Sequence, residues 1–266
     1  MDFVEMLNTA RNSGKAYAFA LITAAEGATP RHPGAKMIVY EDGSIAGSIG
    51  GGEIERQVIN DALCCIAGRN PVMKKMDVVQ SGGLVSGSET IYIEPVFPPA
   101  HLILCGAGHV AGKLIPLAKN LGFRVSVIDI RDEAVFRERT AGADEFIRAS
   151  SFTEGLAKIP EREDQYLIAC AFNFEQDEEI LFRILQRKSA YIGMLAGNFK
   201  VQTIYNHLRA RGVPDEQLRK VHAPIGLEIA AETPEEIALS IASELVFVKN
   251  QRTDNKAVSG DVPAAD

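Results

Sequence analysis

Residues 102–111 read Leu-Ile-Leu-Cys-Gly-Ala-Gly-His-Val-Ala, and this short stretch decides the fold. Four apolar residues, typical of a buried strand, lead into Gly106 and Gly108, and helical periodicity follows. Asp129 closes the next predicted strand, 23 positions after Gly106. A strand, a Gly-x-Gly-x-x-Ala turn, a helix and a later acidic residue together form the fingerprint of a dinucleotide-binding α/β unit. The stretch therefore predicts a Rossmann-like domain.

The sequence around this turn alternates strands and helices. The predicted strands are Leu102–Cys105, Arg124–Asp129, Glu145–Ile147, Tyr166–Ala171 and Tyr191–Met194. The predicted helices are Val110–Leu121, Ala134–Ala141, Glu154–Lys158, Glu178–Lys188 and Phe199–Arg211. Near-continuous apolar strands joined by helices are typical of a parallel sheet covered on both faces. A last helix is predicted from Pro234 to about Val248, because Thr233 and Glu236 form a capping box.

The first 96 residues predict a mixed α/β domain instead. An amphipathic helix lies over Phe3–Ala10, and a second one runs over Glu53–Ala67. The predicted strands are Tyr17–Ala25, Lys36–Tyr40, Ser44–Ser48, Met73–Val79 and Glu89–Val96. Pro98 and Pro99 interrupt the chain between the two patterns. We predict an N-terminal mixed α/β domain over residues 1–97, a C-terminal Rossmann-like parallel-sheet domain over 98–250, and a disordered tail over 251–266.

Composition excludes several classes of protein. The chain has 266 residues, with 28 Lys and Arg against 35 Asp and Glu, for a formal net charge of -7. This acidic balance argues against broad binding to nucleic acid or to an anionic membrane. No segment is long and apolar enough for a membrane span, and no signal peptide precedes the first helix. The four cysteines lack the spacing of a disulfide framework or a metal site, so we expect a cytoplasmic protein without a bound metal.

The Rossmann-like turn offers candidate binding residues. The amides of Gly106 and Gly108 can approach a phosphate at the start of a helix. Asp129 is a candidate for a ribose diol, and Arg131 for a phosphate. His109 either donates to an anion and exchanges a proton near neutral pH, or simply faces solvent. The alternative for the whole turn is that its glycines serve only tight helix–strand packing.

A second glycine-rich turn, Gly50, Gly51 and Gly52, opens the helix over Glu53–Ala67. Three glycines permit close backbone approach to a ligand, and the preceding loop carries Arg31 and Lys36 as cations for an anionic group. The alternative is a strained connection between sheet and helix.

Three further groups have a binding and a structural interpretation. Glu55 suits the helix dipole as well as a ligand. Ser81–Ser88 is explained by hairpin-turn chemistry about as well as by function. Glu228 and Glu232 are either contacts for polar hydrogens of a ligand or exposed cap residues.

Taken together, the residues resemble the XdhC/CoxI family, the accessory proteins of xanthine dehydrogenase and related molybdenum hydroxylases. The matching stretches are Gly27–Met37, Gly47–Glu55, Gly106–Ala111 with Asp129 and Arg131, Tyr191–Met194, Ala223–Leu227 and Ala231–Ala238. The resemblance implies a protein that binds the molybdenum cofactor and helps to mature it and insert it into a hydroxylase. It also implies a homodimer and, where the cofactor is sulfurated, a cysteine desulfurase as a further partner.

The resemblance also implies how the ligand is held. Backbone amides of the two glycine turns would hold the cofactor's phosphate, and polar loop groups would meet the edge of its pterin. The candidate binding residues are Arg31, Lys36, Gly50, Gly51, Gly52, Glu55, Gly106, Gly108, His109, Asp129, Arg131 and Glu232.

The chain departs from the family pattern at several positions. Ser86-Gly87-Ser88 stands where the family tends to have Cys-Gly-Gly, which removes a thiol from the third glycine loop. Ala171-Phe172 replaces a Thr-His pair. Beyond Met194, only Lys200 keeps the positive charge that the family favours, and Glu228 and Ala230 replace the more usual Asp and Gly.

Two functions follow as hypotheses. One is the cofactor-binding accessory protein that the resemblance implies. The other is an NAD(P)-dependent oxidoreductase, which the fingerprint with Asp129 favours. Against the second hypothesis, no acid/base pair is evident in the sequence, and no substrate domain follows the Rossmann-like unit.

Overall fold

A computed structural model describes residues 2–79, 85–132 and 136–254 of the chain. The contacts divide it into two compact units, one over residues 2–98 and one over 99–251. Within the described residues, no helix combines the length and apolar character that crossing a membrane requires.

The first unit is an antiparallel sheet with one helix on each face. Its elements are α1 (Phe3–Asn12), β1 (Tyr17–Gly27), β2 (Lys36–Tyr40), β3 (Ile45–Gly47), α2 (Gly52–Gly68), β4 (Val72–Val79) and β5 (Val85–Val96). The strand order is β3-β2-β1-β5-β4. Side chains alternate across the sheet, so Met37 and Val39 pack toward α2 while Ile38 packs toward α1.

The pairing register brings the loops of this unit to one end of the sheet. Ala20 lies opposite Met37 on one side and Ile93 on the other, and Gly47 lies opposite Met37 on the far side of β2. Strands β1 and β3 therefore run in the same direction. The loop after β1 and the loop that leads from β3 into α2 meet at the end where Ala25 pairs with Glu89.

The second unit is a parallel sheet covered by helices. Its elements are β6 (His101–Cys105), α3 (His109–Asn120), β7 (Arg124–Asp129), β8 (Glu145–Arg148), α4 (Phe152–Ala157), β9 (Gln165–Ala169), α5 (Phe174–Ile184), β10 (Tyr191–Met194), α6 (Asn198–Ala210), α7 (Asp215–Leu218), β11 (Val221–His222) and α8 (Pro234–Asp254). The strand order is β11-β10-β9-β6-β7-β8, and every pair is parallel.

This order is that of a doubly wound Rossmann sheet, with the reversal of strand order between β6 and β9. The two faces of the sheet carry separate apolar cores. Leu102 and Leu104 belong to one core, and Ile103 and Cys105 to the other. The predicted fold class is confirmed.

The structure differs from the sequence prediction at a few places. Of the helix predicted over Ala134–Ala141, residues 134 and 135 lie outside the described residues, and 136–140 form turns in which the Arg139 and Thr140 N–H groups donate to the Phe136 carbonyl. Helix α7 and strand β11 were not predicted, because four and two residues carry too little periodicity. Helix α8 has the predicted capping box but continues to Asp254, into the segment predicted as a tail. Residues 255–266 of that tail lie outside the described residues, as do 80–84 of the third glycine loop.

Candidate functional site

The Rossmann turn is held tightly by its first glycine. Gly106 has φ of +130°, and its N–H donates to the Ile128 carbonyl at 2.8 Å. A Cβ at this position would lie 2.2 Å from the Cys170 carbonyl oxygen. A side chain is therefore excluded by both backbone conformation and space. The glycine lets the turn pass directly over the end of β9, at the reversal point of the sheet.

The second glycine leaves open space instead. Gly108 is the N-cap of α3, receives no side-chain cap, and would place a Cβ with no atom within 4 Å. Among the described residues, the N–H groups of Gly108 and His109 donate to no acceptor. The first turn of an α-helix carries such free donors together with a partial positive charge. This turn can therefore bind an anionic group.

A cavity of about 260 Å³ lies beside the first turn of α3. Its lining includes the cationic or protonatable side chains of His109, Lys113 and Arg139, with Glu138 as the acidic member. Lys113 is already paired with Glu235 at 2.9 Å. His109, one of the candidate binding residues, is exposed and lines this small, mainly cationic cavity. Such a cavity suits a phosphate-sized anion.

Asp129 is engaged within the protein. The side chain is fully buried and accepts from the Ala107 N–H at 2.7 Å and from Arg131 through its backbone N–H, Nε and Nη2. Burial raises the pKa of this carboxyl, but the hydrogen bonds from Arg131 and Ala107 outweigh it and hold the pKa below its usual value. A ribose diol that approached Asp129 would have to displace Arg131.

Arg131 is fixed by aromatic rings as well as by Asp129. Its guanidinium carbon lies 3.8 Å from the ring centroid of Phe136 and 4.7 Å from that of Phe172. These cation–π contacts, together with the hydrogen bonds to Asp129, fix the position of the Arg131 side chain. The structure therefore brings Arg131 and Asp129 together as a structural pair, whereas the sequence offered them as alternative ligand contacts.

A second pair of a buried carboxylate and a cation, just beyond the end of β9, was not predicted. Asp177 is fully buried and accepts from the Ala171 N–H at 2.7 Å and from Lys200 Nζ at 2.5 Å. Burial raises the pKa of Asp177, and Lys200 only partly offsets this effect. The separation of 23 positions between the two residues hid the pair from sequence patterns.

Three consecutive glycines of the first unit have positive φ. The angles are +131°, +78° and +67° at Gly50, Gly51 and Gly52. A Cβ on Gly50 would meet Pro30 at 2.9 Å, whereas Gly51 and Gly52 face open space. The turn is therefore a backbone surface that only glycine forms without strain, packed on one side and open on the other.

Glu55 closes this triglycine turn from inside the unit. Its Oε2 accepts from Ser48 Oγ at 2.6 Å, from the Gly51 N–H at 3.2 Å and from the Ile49 N–H at 3.3 Å. Gly50 donates its N–H to Ser48 Oγ at 3.2 Å. The amides of Ile49, Gly50 and Gly51 are thus used internally, and a direct ligand contact by Glu55 is not what the geometry shows. The N–H groups of Gly52 and Glu53 donate to no acceptor within the described residues.

The two cations of the preceding loop separate onto different faces. Gly50 is packed against Pro30 and the Cγ of Arg31, so Arg31 lies beside the triglycine turn. Lys36 points to the α1 face, where Nζ lies 5.4 Å from the Phe3 ring centroid and donates to the Gly34 carbonyl at 2.9 Å. The structure therefore joins Arg31, but not Lys36, to the glycine turn.

Sequence reasoning also missed two buried glutamates. Glu89 of β5 has no exposed surface, and neither carboxylate oxygen has a hydrogen-bond partner among the described residues. Glu244 of α8 is buried and accepts from Tyr191 Oη, His222 Nδ1 and the Gly226 N–H, each at 2.7 Å. Glu89 interrupts the apolar face of β5, and Glu244 interrupts the apolar face of α8. A charged residue at such a position in the sequence is the signal that could have identified both. Glu232, which was predicted, is exposed, and its N–H donates to Glu236.

These features define the class of protein: a Rossmann domain, and an antiparallel unit in which a triglycine turn opens a helix. Two family models match these parts. The XdhC Rossmann domain matches residues 102–245, and the XdhC and CoxI family model matches residues 10–77. The chain belongs to the XdhC and CoxI family, as the sequence resemblance indicated.

Individual relatives agree with this assignment. "Uncharacterized protein YqeB" of Escherichia coli (strain K12) is 37% identical over 239 residues, which cover 88% of this chain and 44% of that protein. A probable xanthine dehydrogenase subunit of Bacillus subtilis (strain 168) is 29% identical over 162 residues, covering 60% of this chain and 46% of that protein. The chain spans less than half the length of these curated relatives.

A solved structure shares the fold over nearly the whole chain. It is described as a xanthine dehydrogenase from Bacillus halodurans, and it is 23% identical with a TM-score of 0.50 over 98% of both chains. At this level of identity the likeness shows the fold alone.

Proposed function

We propose that this chain is an accessory protein that binds the molybdenum cofactor and passes it to a hydroxylase of the xanthine dehydrogenase type. Membership of the XdhC and CoxI family and the similarity to a probable xanthine dehydrogenase subunit support the partner. A second copy of the chain and a cysteine desulfurase are further partners in this proposal.

The structure describes the third glycine loop of the family only at residues 85–88, which lie in β5. Ser86 Oγ donates to the carbonyls of Ala28 and Val78.

The observation that carries the proposal is the triglycine turn. Gly51 and Gly52 face open space, and within the described residues the N–H groups of Gly52 and Glu53 donate to no acceptor. The donors are fixed in place before any ligand arrives, because Glu55 and Ser48 hold the preceding amides. Main-chain donors at a helix start suit the phosphate of a pterin cofactor.

The charges around the turn also fit a phosphate. The negative charge of Glu55 is directed at three internal donors, and Glu53 is exposed and paired with Arg56 at 3.1 Å. Arg31 is the cation nearest to the turn, with its Cγ beside Gly50. A few neutral donors and one cation give moderate affinity. Such affinity suits a protein that has to release its ligand.

The oxidoreductase hypothesis has less support from the geometry. A dinucleotide in the Rossmann crevice would need Asp129 for its ribose, and both oxygens of that carboxylate are already engaged by Ala107 and Arg131. We therefore assign the open amides at Gly108 and His109 to an anionic group other than a nicotinamide dinucleotide.

Retention of the cofactor tests the proposal. The purified chain is mixed anaerobically with freshly released molybdenum cofactor and desalted, and the bound pterin is then measured by fluorescence after oxidation. We expect the wild-type chain to retain pterin and Gly51→Val to retain several-fold less, because the new side chain stands in the open space beside the donors and blocks close approach of the ligand to the backbone. Gly43→Val is the matched control. Gly43 has φ of +80° and open space around it, but it lies in the hairpin turn between β2 and β3.

The two variants carry a similar backbone strain, so a difference between them reports on the site and not on folding. Equal loss of pterin in both variants would remove the triglycine turn from the site. Absence of pterin in the wild-type eluate would end the proposed function.

A further inference from the structure

Glu89 is the most unusual ionisable group of the first unit. Its side chain has no exposed surface, and both carboxylate oxygens lack a hydrogen-bond partner among the described residues. Burial of an unpartnered carboxylate is costly, and proteins rarely keep one without a use. Its neighbours on the same face of β5, Ile91 and Ile93, are apolar core residues. A leucine or isoleucine would fill this position at lower cost, so Glu89 calls for a functional explanation.

The position of Glu89 links it to the triglycine turn. On β5 it pairs with Ala25 of β1 and Met76 of β4, at the end of the sheet where the loop after β1 and the start of α2 meet. Burial raises the pKa of Glu89, and the nearby backbone N–H of Arg31, which does not reach hydrogen-bond geometry with the carboxylate, offsets this only in part. Arg31 in turn contacts Gly50. The carboxylate therefore lies under the segment that flanks the proposed phosphate site.

An unpartnered carboxylate is a pair of adjacent acceptors. It matches a flat ligand edge that presents two parallel N–H donors, in the way that a carboxylate accepts from a guanidinium. The 2-amino-4-oxo pyrimidine edge of a pterin has this pattern, with an amino N–H next to a ring N–H, and guanine has the same edge. We propose that Glu89 accepts this donor edge of the pterin, an assignment that rests on the function proposed above.

The surroundings favour a flat neutral edge over a cation. Glu89 lies among Met76, Ile91 and Ile93, which suit the faces of an aromatic ring system. The described residues contain no group of three or more carboxylate, histidine or cysteine side chains that would hold a metal ion. Because the carboxylate has no exposed surface, the ligand edge reaches it only when the residues that cover it move aside. The nearby Arg31 is exposed and lies in the loop between β1 and β2.

The test compares two probes that differ only at the recognised edge. Pterin carries the 2-amino group, and lumazine carries an oxygen in its place. Binding of each probe to the full chain is measured by fluorescence titration. We expect the wild-type chain to prefer pterin by at least about tenfold, because a site built to accept a donor rejects the analogue that lacks it. Glu89→Gln should lose this preference, and Glu94→Gln, an exposed position on the same strand, should keep it.

Melting temperatures separate a binding role from a structural one. Glu89→Gln should melt at the wild-type temperature or above, since the carboxylate has no partner to lose. A variant that melts lower but still prefers pterin would overturn the assignment, because Glu89 would then serve the fold alone. A wild-type chain that binds pterin and lumazine equally, or binds neither, would also overturn it. Tighter binding of guanosine monophosphate than of pterin would contradict the choice of ligand.

The same experiment distinguishes this assignment from the proposed function. A wild-type chain that retains the molybdenum cofactor but does not discriminate between the probes would overturn the role of Glu89 only. A wild-type chain that prefers pterin to lumazine but retains no molybdenum cofactor would end the proposed function and support the role of Glu89.

Discussion

Replacement of Glu55 by glutamine tests whether the triglycine turn is held from inside. In the native chain, Glu55 Oε2 accepts one short bond from Ser48 Oγ and two longer bonds from the Ile49 and Gly51 amides. Glutamine has nearly the same shape but loses the negative charge and replaces one oxygen with a donor. Hydrogen bonds to a charged group contribute about 1.5–3 kcal/mol when well formed, and the two longer ones contribute less. We expect Glu55→Gln to lower the free energy of unfolding by about 2 kcal/mol.

Glu53→Gln is the matched control for the loss of charge. Glu53 lies in the same helical turn, so both variants lose a similar interaction with the helix dipole. Glu53 is exposed, and within the described residues its side chain pairs with Arg56 alone, so its loss should cost less than about 0.5 kcal/mol. The difference between the two variants therefore isolates the internal hydrogen bonds of Glu55.

Unfolding in urea, followed by far-UV circular dichroism, measures this difference, since the chain has no tryptophan for fluorescence. A loss of about 2 kcal/mol corresponds to a fall in melting temperature of about 4–8 °C for a chain of this size. Hydrogen exchange should also accelerate at the amides of Ile49 and Gly51. The interpretation of the turn would be refuted if the two glutamine variants unfolded with equal free energies and exchanged these amides at equal rates.

Three further predictions concern the second unit. Burial lowers the pKa of His101 from 6.5 to about 4, so the folded chain loses stability as the pH falls from 6.5 toward 4. The free energy of unfolding in urea should be about 2 kcal/mol lower at pH 5 than at pH 8 from this group. His101→Gln should remove this part of the pH dependence. Glu244→Ala removes the acceptor of three donors and should lower the free energy of unfolding by about 3 kcal/mol, measured by thermal unfolding. Glu235→Ala, on the exposed face of the same helix, should lower it by less than about 0.5 kcal/mol. Equal losses in the two variants would contradict the role of the hydrogen bonds to Glu244. NADH or NADPH at about 1 mM should leave the melting temperature unchanged, because Asp129 is engaged by Arg131; a clear upward shift would favour the oxidoreductase hypothesis instead.

Much of the fold could be predicted from sequence because local signals and long-range topology agree. The Gly106 turn, the apolar strands and the spacing to Asp129 identify a Rossmann unit, whose strand order follows from the right-handed crossovers of such sheets. The capping box at Thr233 likewise marks the start of α8, and the structure has both of its hydrogen bonds. These features depend on residues close together in the chain.

The partners of charged side chains could be predicted less well, because they depend on tertiary placement. Strand alternation puts Lys36 on the α1 face, yet the sequence suggested a cation for the glycine loops. Asp129 follows the fingerprint, but Arg131 folds back onto it in a way that only packing against Phe136 and Phe172 fixes. Glu89 was hidden within a strand, although its alternation with Ile91 and Ile93 would have placed it on the buried face.

In the proposed function, the main-chain donors at the start of α2 bind the anionic end of the ligand. Titration of the molybdenum cofactor into isotope-labelled chain, observed in two-dimensional amide NMR spectra, tests this claim directly. The largest shifts should fall on the amides of Gly52 and Glu53, with little change at the internally bonded amide of Ile49. A spectrum in which saturating cofactor leaves Gly52 and Glu53 in place and moves other residues would contradict the claim.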